Sequence, residues 1–363
     1  MRKEKKVTQI VHVIYRDKFT DGYIKFMNEY LSGYRHLFYT TKEGFDVDLT
    51  SNDNVIFLDS FNDLHKRENK KNLMDADLIV ISGFFFFKEM RAFYNRKILK
   101  KTYFHLWGAD LYCLKENETV NMRLGNLLRK YFFVNAGGII NLIPGDYEIL
   151  CKYCTPKGKH FVAPMCSGGV IPKIISELRT CEKRTNPYRI LVGNSATPSN
   201  QHLEILQTLE RFKNEQIEIV CPLSYGNADY AKTVIDFGKK LFGSKFVPLT
   251  DYMDKTAYYR TIAESSVAIF NNDRQQAMGN INASLGLGCK VFLRTDTPMW
   301  EIYHQERKYV IYKVEDIAQM SFEEFLKNDT DPQYNWEQYR KSTDLESSVQ
   351  KWRNVFNSIE ERK

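Results

Sequence analysis

The stretch that most limits the fold runs from Arg189 to His202, R-I-L-V-G-N-S-A-T-P-S-N-Q-H. Arg189 to Val192 reads as a short β-run that stops at Gly193-Asn194-Ser195. A helical pattern begins at about Asn200, with Leu203, Leu206, Leu209 and Phe212 on one face, Asn200 or Ser199 as N-cap and Glu204 in the first turn. A buried strand feeding a helix in this way belongs to a parallel α/β sheet. Its end presents free backbone N–H groups and the positive end of a helix dipole, where anions bind.

The rest of the chain repeats the alternation. Apolar runs at 7–15, 36–40, 54–58, 77–82 and 101–107 predict strands, with a helix over 23–31 closing the first βα unit. Two further strands are expected at 134–143 and 159–163, with Pro144-Gly145-Asp146 opening the helix between them. After the turn at Gly193 the same pattern predicts strands at 217–221, 245–249, 267–271 and 290–293, and helices over 228–242, 254–264 and 281–288. A long helical tail covers 336–359. This is a doubly wound pattern, in which ligands gather beyond the carboxyl ends of the strands.

With 363 residues the chain exceeds one ordinary core. The charge run 177–184 and the Asn186-Pro187 step place the boundary, giving domains 1–185 and 186–332, with 333–363 as a C-terminal helix. There is no charge-free run of 18 apolar residues and no secretory signal, so the chain is expected to be cytoplasmic. Seven cysteines between Cys113 and Cys289 fit a reducing compartment, and Cys151-Lys-Tyr-Cys154 lacks the partners of a zinc site.

The net charge of +7 points to an anionic partner, either a nucleotide or a phospholipid surface. Nucleic acid fits poorly, because the basic residues are scattered and the aromatics fall in apolar runs. From Met122 to Phe133, apolar residues at helical spacing flank Arg123, Arg129 and Lys130. That pattern fits a helix lying on an anionic membrane or one facing a core with a basic edge.

The chemistry concentrates in a few loops. The second domain uses one device twice: Gly193-Asn194-Ser195, then Arg274-Gln275-Gln276 with Gly279-Asn280. Guanidinium, amides and a helix N-terminus together suit a diphosphate held without a metal ion or other cofactor. No Walker lysine loop, GxGxxG or kinase signature is present. In sugar transfer from a nucleotide the diphosphate leaves, and such groups stabilise its growing charge. A base for the acceptor hydroxyl is expected among Asp17, His105 and Asp110 at strand ends of the first domain. The alternatives, His105 as a core histidine and Asp110 as a cap, stay open, as does core packing for the aromatic run Phe84 to Phe87.

The segments H-L-W-G-A-D-L-Y (105–112), I-L-V-G-N-S with S-N-Q-H (190–202), P-L-S-Y-G (222–226), R-Q-Q-A-M-G (274–279) and P-M-W-E (298–301) resemble the bacterial TDP-N-acetylfucosamine:lipid II N-acetylfucosaminyltransferase family. The resemblance runs from His12 to about Tyr303. It implies a GT-B glycosyltransferase with two Rossmann-like domains whose parallel sheets face a central cleft, and a terminal helix returning to the first. It further implies a polyprenyl-diphosphate-linked acceptor at the cytoplasmic face of the inner membrane, in the assembly of enterobacterial common antigen.

By position, Gly193, Asn194, Ser195, Asn200, His202, Tyr225, Gly226, Arg274, Gln275, Gln276, Gly279 and Asn280 would serve the donor. His105, Trp107 and Asp110 would form the opposite wall. The sequence departs from the family at Tyr15-Arg16-Asp17-Lys18 and at Ala277-Met278-Gly279-Asn280. The donor sugar therefore stays open between 4-acetamido-4,6-dideoxygalactose and a fucose-like sugar. The competing class is a non-catalytic, membrane-associated nucleotide-binding α/β protein.

Overall fold

The computed structural model describes residues 7–44, 49, 52–115, 119–165, 170–329 and 331–359. Two compact units emerge: residues 1–169 together with 345–363, and residues 170–344.

In the first unit the strands are β1 (Gln9–Ile14), β2 (Arg35–Thr41), β3 (Val55–Leu58), β4 (Leu78–Ser82), β5 (Thr102–Leu106), β6 (Gly138–Asn141) and β7 (Lys159–Val162). Among the described residues they form one parallel sheet in the order β3-β2-β1-β4-β5-β6-β7. β4 is buried along its whole length, as an apolar run covered on both faces requires. The chain reverses direction across the sheet between β1 and β4, so the loops after these strands flank the switch point.

The second unit contains β8 (Tyr188–Val192), β9 (Ile217–Pro222), β10 (Phe246–Leu249), β11 (Val267–Phe270), β12 (Lys290–Leu293) and β13 (Tyr312–Lys313). All pair in parallel, in the order β10-β9-β8-β11-β12-β13, with the switch point between β8 and β11. β13 lacks a periodic apolar run and was not expected from the sequence.

Three boundaries differ from expectation. The units part at 169/170 rather than 185/186, because the helix Val170–Leu178 belongs to the second unit. Its buried Ile175 lies against Gly286, where an added Cβ would meet the Ile175 side chain at 3.2 Å.

The tail is two helices, not one. Pro332–Ser342 stays on the second unit, with the Arg179 guanidinium 4.7 Å from the Trp336 ring and Tyr339 packed on Gly286. Leu345–Asn357 joins the first unit, where fully buried Trp352 donates from Nε1 to the Pro164 carbonyl at 3.1 Å. Val349, Val355 and Phe356 complete a core with β1 and β4 residues. Finally, the strand expected over 134–143 shrinks to β6, because the preceding helix, Val120–Asn135, keeps its register through Asn135.

Candidate active site

The crevice at the carboxyl ends of β8 and β11 collects most of the residues expected to serve the donor. The turn after β8 begins at Gly193, with φ +71° and its N–H on the Ile269 carbonyl at 2.9 Å. An added Cβ there would stand 2.4 Å from His202 Nε2, so only glycine fits.

Asn200 ties the turn together. Its Oδ1 accepts from the Asn194 N–H at 3.1 Å and from Asn272 Nδ2 at 3.1 Å. Its Nδ2 donates to the carbonyls of Ser195 at 3.0 Å and Thr197 at 3.2 Å. Asn200 is therefore the knot of the loop and not the expected helix cap. The helix His202–Leu209 starts after Gln201, which adopts φ +50° without a side-chain cap, and the His202 N–H is taken by the Tyr230 hydroxyl at 3.2 Å. The anion-binding helix terminus expected here is thus partly used within the protein.

The second loop is stitched to the first by Gln276. Its Nε2 donates to Asn194 Oδ1 at 3.0 Å and to Ser195 Oγ at 3.2 Å, and its Oε1 accepts from Ser199 Oγ at 2.5 Å. Asn194 Nδ2 in turn donates to the Tyr225 hydroxyl at 3.1 Å. Gly226, at φ +119°, allows the loop after β9 to pair with Ala196, whose carbonyl would lie 2.5 Å from any Cβ at that position.

Arg274 is half-buried and donates from Nη1 to the Gln275 carbonyl at 3.2 Å. Ala277, at φ +60°, then turns the chain into the helix Met278–Gly286. Gly279 and Asn280 lie in its first turn, with Asn280 Nδ2 on the Tyr258 hydroxyl at 2.9 Å.

The pattern that marks this crevice is unsatisfied polarity. Among the described residues, both ring nitrogens of His202 and the side-chain oxygens of Asn271, Asn272 and Gln275 are buried without a protein partner. Buried polar atoms are nearly always paired, and here three unpaired oxygens sit in the loop after β11 and two unpaired nitrogens at the start of the helix His202–Leu209. Burial holds His202 neutral, with its pKa drawn down to about 4. Asn271 and Asn272 were not singled out from the sequence. The only hint was an amide doublet directly after an apolar strand.

The first unit treats its expected residues differently. His105 has no exposed surface. Its Nδ1 contacts Ser82 Oγ at 3.1 Å, its ring meets Trp352 edge-on at 5.1 Å, and desolvation lowers its pKa to about 4. It lies in the core. Trp107 is half-buried, edge-on to Phe85 at 5.9 Å. Asp110 is also buried: Oδ1 accepts from the N–H groups of Trp107 at 2.9 Å and Gly108 at 3.0 Å, and Oδ2 accepts from Phe84 at 2.9 Å. Burial raises its pKa to about 6 against the pull of these donors. It braces two loops.

Asp17 follows β1 at the switch point. Its N–H donates to Thr20 Oγ1 at 2.9 Å, its carbonyl accepts from the Thr20 N–H at 3.0 Å, and its Oδ1 has no protein partner. In the aromatic run, Phe84 and Phe86 fill the core, whereas Phe85 packs against Tyr15 at 5.1 Å.

Three Asp-x-Asp triplets occur in the chain, at 46–48, 75–77 and 329–331. The first lies outside the described residues. Asp77 accepts from the Gln9 N–H at the amino end of β1, and Asp331 caps the helix Pro332–Ser342. Neither belongs to the crevice. Among the described residues no group of three His, Cys, Asp or Glu side chains is arranged to hold a metal ion.

A family model described as 4-alpha-L-fucosyltransferase, glycosyl transferase group 56, matches residues 53–329. An α,α-trehalose-phosphate synthase (UDP-forming) from Burkholderia vietnamiensis is similar with a TM-score of 0.66 and 8% identity, over 98% of this chain and 99% of that one. A glycosyltransferase from Rickettsia africae gives 0.65 and 11%, over 99% and 100%. The E. coli structure titled trehalose-6-phosphate, bound with UDP-2-fluoro glucose, gives 0.63 and 10%, over 97% and 98%. At such identities the likeness shows the fold alone, which is GT-B.

Proposed function

The chain belongs to the 4-alpha-L-fucosyltransferase family, glycosyl transferase group 56, and from that premise we propose that it moves a deoxyamino sugar from a nucleotide diphosphate to a lipid-linked saccharide. The donor is dTDP-linked 4-acetamido-4,6-dideoxygalactose or a fucose-like relative. The acceptor is a polyprenyl-diphosphate-linked saccharide of bacterial surface polysaccharide synthesis, met at the cytoplasmic face of the inner membrane. As the chain is a glycosyltransferase, the non-catalytic alternative falls away.

The observation that carries the reading is the group of unpaired buried polar atoms between the β8 and β11 loops. A diphosphate and its sugar bring both donors and acceptors to such a crevice. In this reading Arg274, the first N–H groups of the helix Met278–Gly286 and the Gly193 turn neutralise the leaving diphosphate. Gln276, Asn200 and Asn194 hold the two loops in register, and the neutral His202 supports the Gly193 turn from beneath. In the same reading Tyr225, 41% exposed, meets the nucleoside.

The bond from the anomeric carbon to the diphosphate breaks as the acceptor oxygen attacks. The bonding electrons leave with the diphosphate, and the acceptor proton passes to a carboxylate. Asp17 fits that last role better than Asp110, whose two oxygens already hold three N–H groups. Amide, hydroxyl and guanidinium donors support transfer without a metal ion.

The test is a panel of nucleotide sugars screened by thermal shift, because a ligand that binds only the folded state raises the melting temperature. The best binder is then incubated with a short-chain polyprenyl-diphosphate saccharide, with and without EDTA, and followed by mass spectrometry. One added deoxyhexosamine, formed equally in both arms, is expected. Binding without transfer would refute the lipid-linked acceptor, and loss of transfer with EDTA would refute metal independence.

A further inference from the structure

The helix Val120–Asn135 carries a face that the fold leaves uncovered. Val120, Leu124, Leu127 and Tyr131 are 70%, 55%, 62% and 40% exposed. They follow one another at intervals of four, three and four residues and so line one stripe, about 17 Å long at 1.5 Å per residue. Tyr94, half exposed, extends the stripe sideways, its ring 6.0 Å from that of Tyr131. Single exposed apolar residues are ordinary, but a contiguous ridge of five marks an interaction surface. The opposite side of the helix is spoken for, with Phe132 and Phe133 in the core and Arg129 stacked 3.8 Å over the Phe87 ring.

Charge selects the occupant. The helix contains Arg123, Arg129 and Lys130 and no acidic residue. At its last turn Tyr131 and Asn135 form one wall of a groove of ≈ 830 Å³. Arg96, Lys97, Lys100, Lys101, Lys157 and Lys159 also line this groove, and none of its lining residues is acidic. An apolar ridge running into a cationic groove matches a bilayer with anionic headgroups: the side chains enter the acyl boundary and the cations meet the phosphates. A protein partner needs no such one-sided charge. No helix among the described residues is long and apolar enough to cross a membrane, so this contact lies along the surface.

We propose that the stripe Val120-Leu124-Leu127-Tyr131, with the adjoining lysine groove, is the surface by which the enzyme seats itself on an anionic phospholipid bilayer. The inference deepens the reading of a lipid-linked acceptor and rests on it for its biological sense. Its test stands apart.

The full chain is sedimented with vesicles of phosphatidylcholine alone and with vesicles that also contain phosphatidylglycerol. The wild type should bind the second kind and largely ignore the first. The double variant Leu124→Glu, Leu127→Glu, whose positions are solvent-exposed and whose melting curve should be unchanged, should lose at least about tenfold in partitioning. Lys97→Glu with Lys100→Glu should lose several-fold and show a weaker salt dependence.

Equal binding to both vesicles, no binding by the wild type, or an unaffected Leu124→Glu, Leu127→Glu variant would overturn the proposal. So would a wild-type dimer that this variant converts to monomer in sedimentation velocity, which would assign the stripe to a second copy of the chain. Transfer to a water-soluble, short-chain acceptor separates the two readings. Its absence in the wild type would indict the proposed function, whereas its persistence without vesicle binding would indict this surface alone.

Discussion

The two units share a topology and a switch point, yet they order their buried polar groups differently. In the first, an imidazole pair on β1 and β2 is turned inward. The His36 Nε2–H donates to the Leu31 carbonyl at 3.0 Å, leaving Nδ1 to accept from His12 Nε2–H at 2.9 Å, and His12 Nδ1 then accepts from the Tyr23 hydroxyl at 3.0 Å. Burial lowers the pKa of both imidazoles; the neighbouring His36 and His105 lower that of His12 further, whereas the bond to the Leu31 carbonyl partly restores that of His36. This chain is closed, each member satisfied by the next, although Asp17 Oδ1, His105 Nε2 and Trp107 Nε1 in the same unit are buried without a protein partner. At β8 and β11 amides and one imidazole make an open network, with three oxygens and two ring nitrogens left over. Strand ends supply the same scaffold twice, and the balance of donors and acceptors around them distinguishes the two units.

The sharpest way to break this contrast is to exchange the roles of two carboxylates. Asp17→Asn should lower the transfer rate by about 10²–10⁴, the usual worth of a positioned base, with no change in melting temperature. Asp110→Asn should leave turnover within a few-fold. A large rate loss in the Asp110 variant at unchanged stability would return the base to that position. Next in size, Arg274→Ala should cost about 10²–10³ in kcat/KM, the range found when one donor to a developing anion is removed. Steady-state kinetics beside a melting curve would check it, separating a loss of turnover from a loss of fold.

Gly193→Ala should destabilise the second unit by about 1–3 kcal/mol from backbone strain alone. The new methyl also displaces His202, so donor affinity should fall with it. Denaturant titration and calorimetry report the two effects separately.

The smallest effect is a pH dependence of opposite sign in different groups. His105 and His202, near 4 when folded and near 6.5 when unfolded, contribute stability above pH 6.5 that is lost as pH falls toward 4. Asp110, near 6 when folded against 3.8, does the reverse: its contribution is present at low pH and lost as pH rises from about 4 to 6. Removing it by Asp110→Asn should therefore steepen the loss of stability between pH 7 and 5 by about 1 kcal/mol. Urea midpoints at the two pH values measure this directly.

Much of this was legible in the chain itself. Apolar runs such as 78–82 could be nothing but doubly covered strands, and Gly193 announced a turn that no larger residue could make. The residues at both carboxyl ends followed. What stayed hidden was non-local. β8 and β11 lie side by side although two strands separate them in sequence, so no spacing reveals that Gln276 reaches Asn194. His105 sits one residue from the end of an apolar run, and only the arrival of Trp352 from the far end of the chain decides that it is covered. Asn200 reads as a cap because amides cap helices, but its side chain has three partners within its own loop and a fourth, Asn272, in the loop after β11, which outweigh one helix end. The break at Thr343 and Asp344 has no proline or glycine to mark it.

Trp352 has a consequence for how the molecule is made. The strands of the first unit precede those of the second in the chain, yet the side chain that fills the interior of the first follows them all. At ordinary elongation rates roughly 10 to 40 s pass between completion of β7 and the emergence of the closing helix. By the end of that interval the second unit has all of its own strands, while the first still lacks the helix that covers one apolar face of its sheet. In this order of synthesis the core around Trp352 closes only after every strand of the second unit exists.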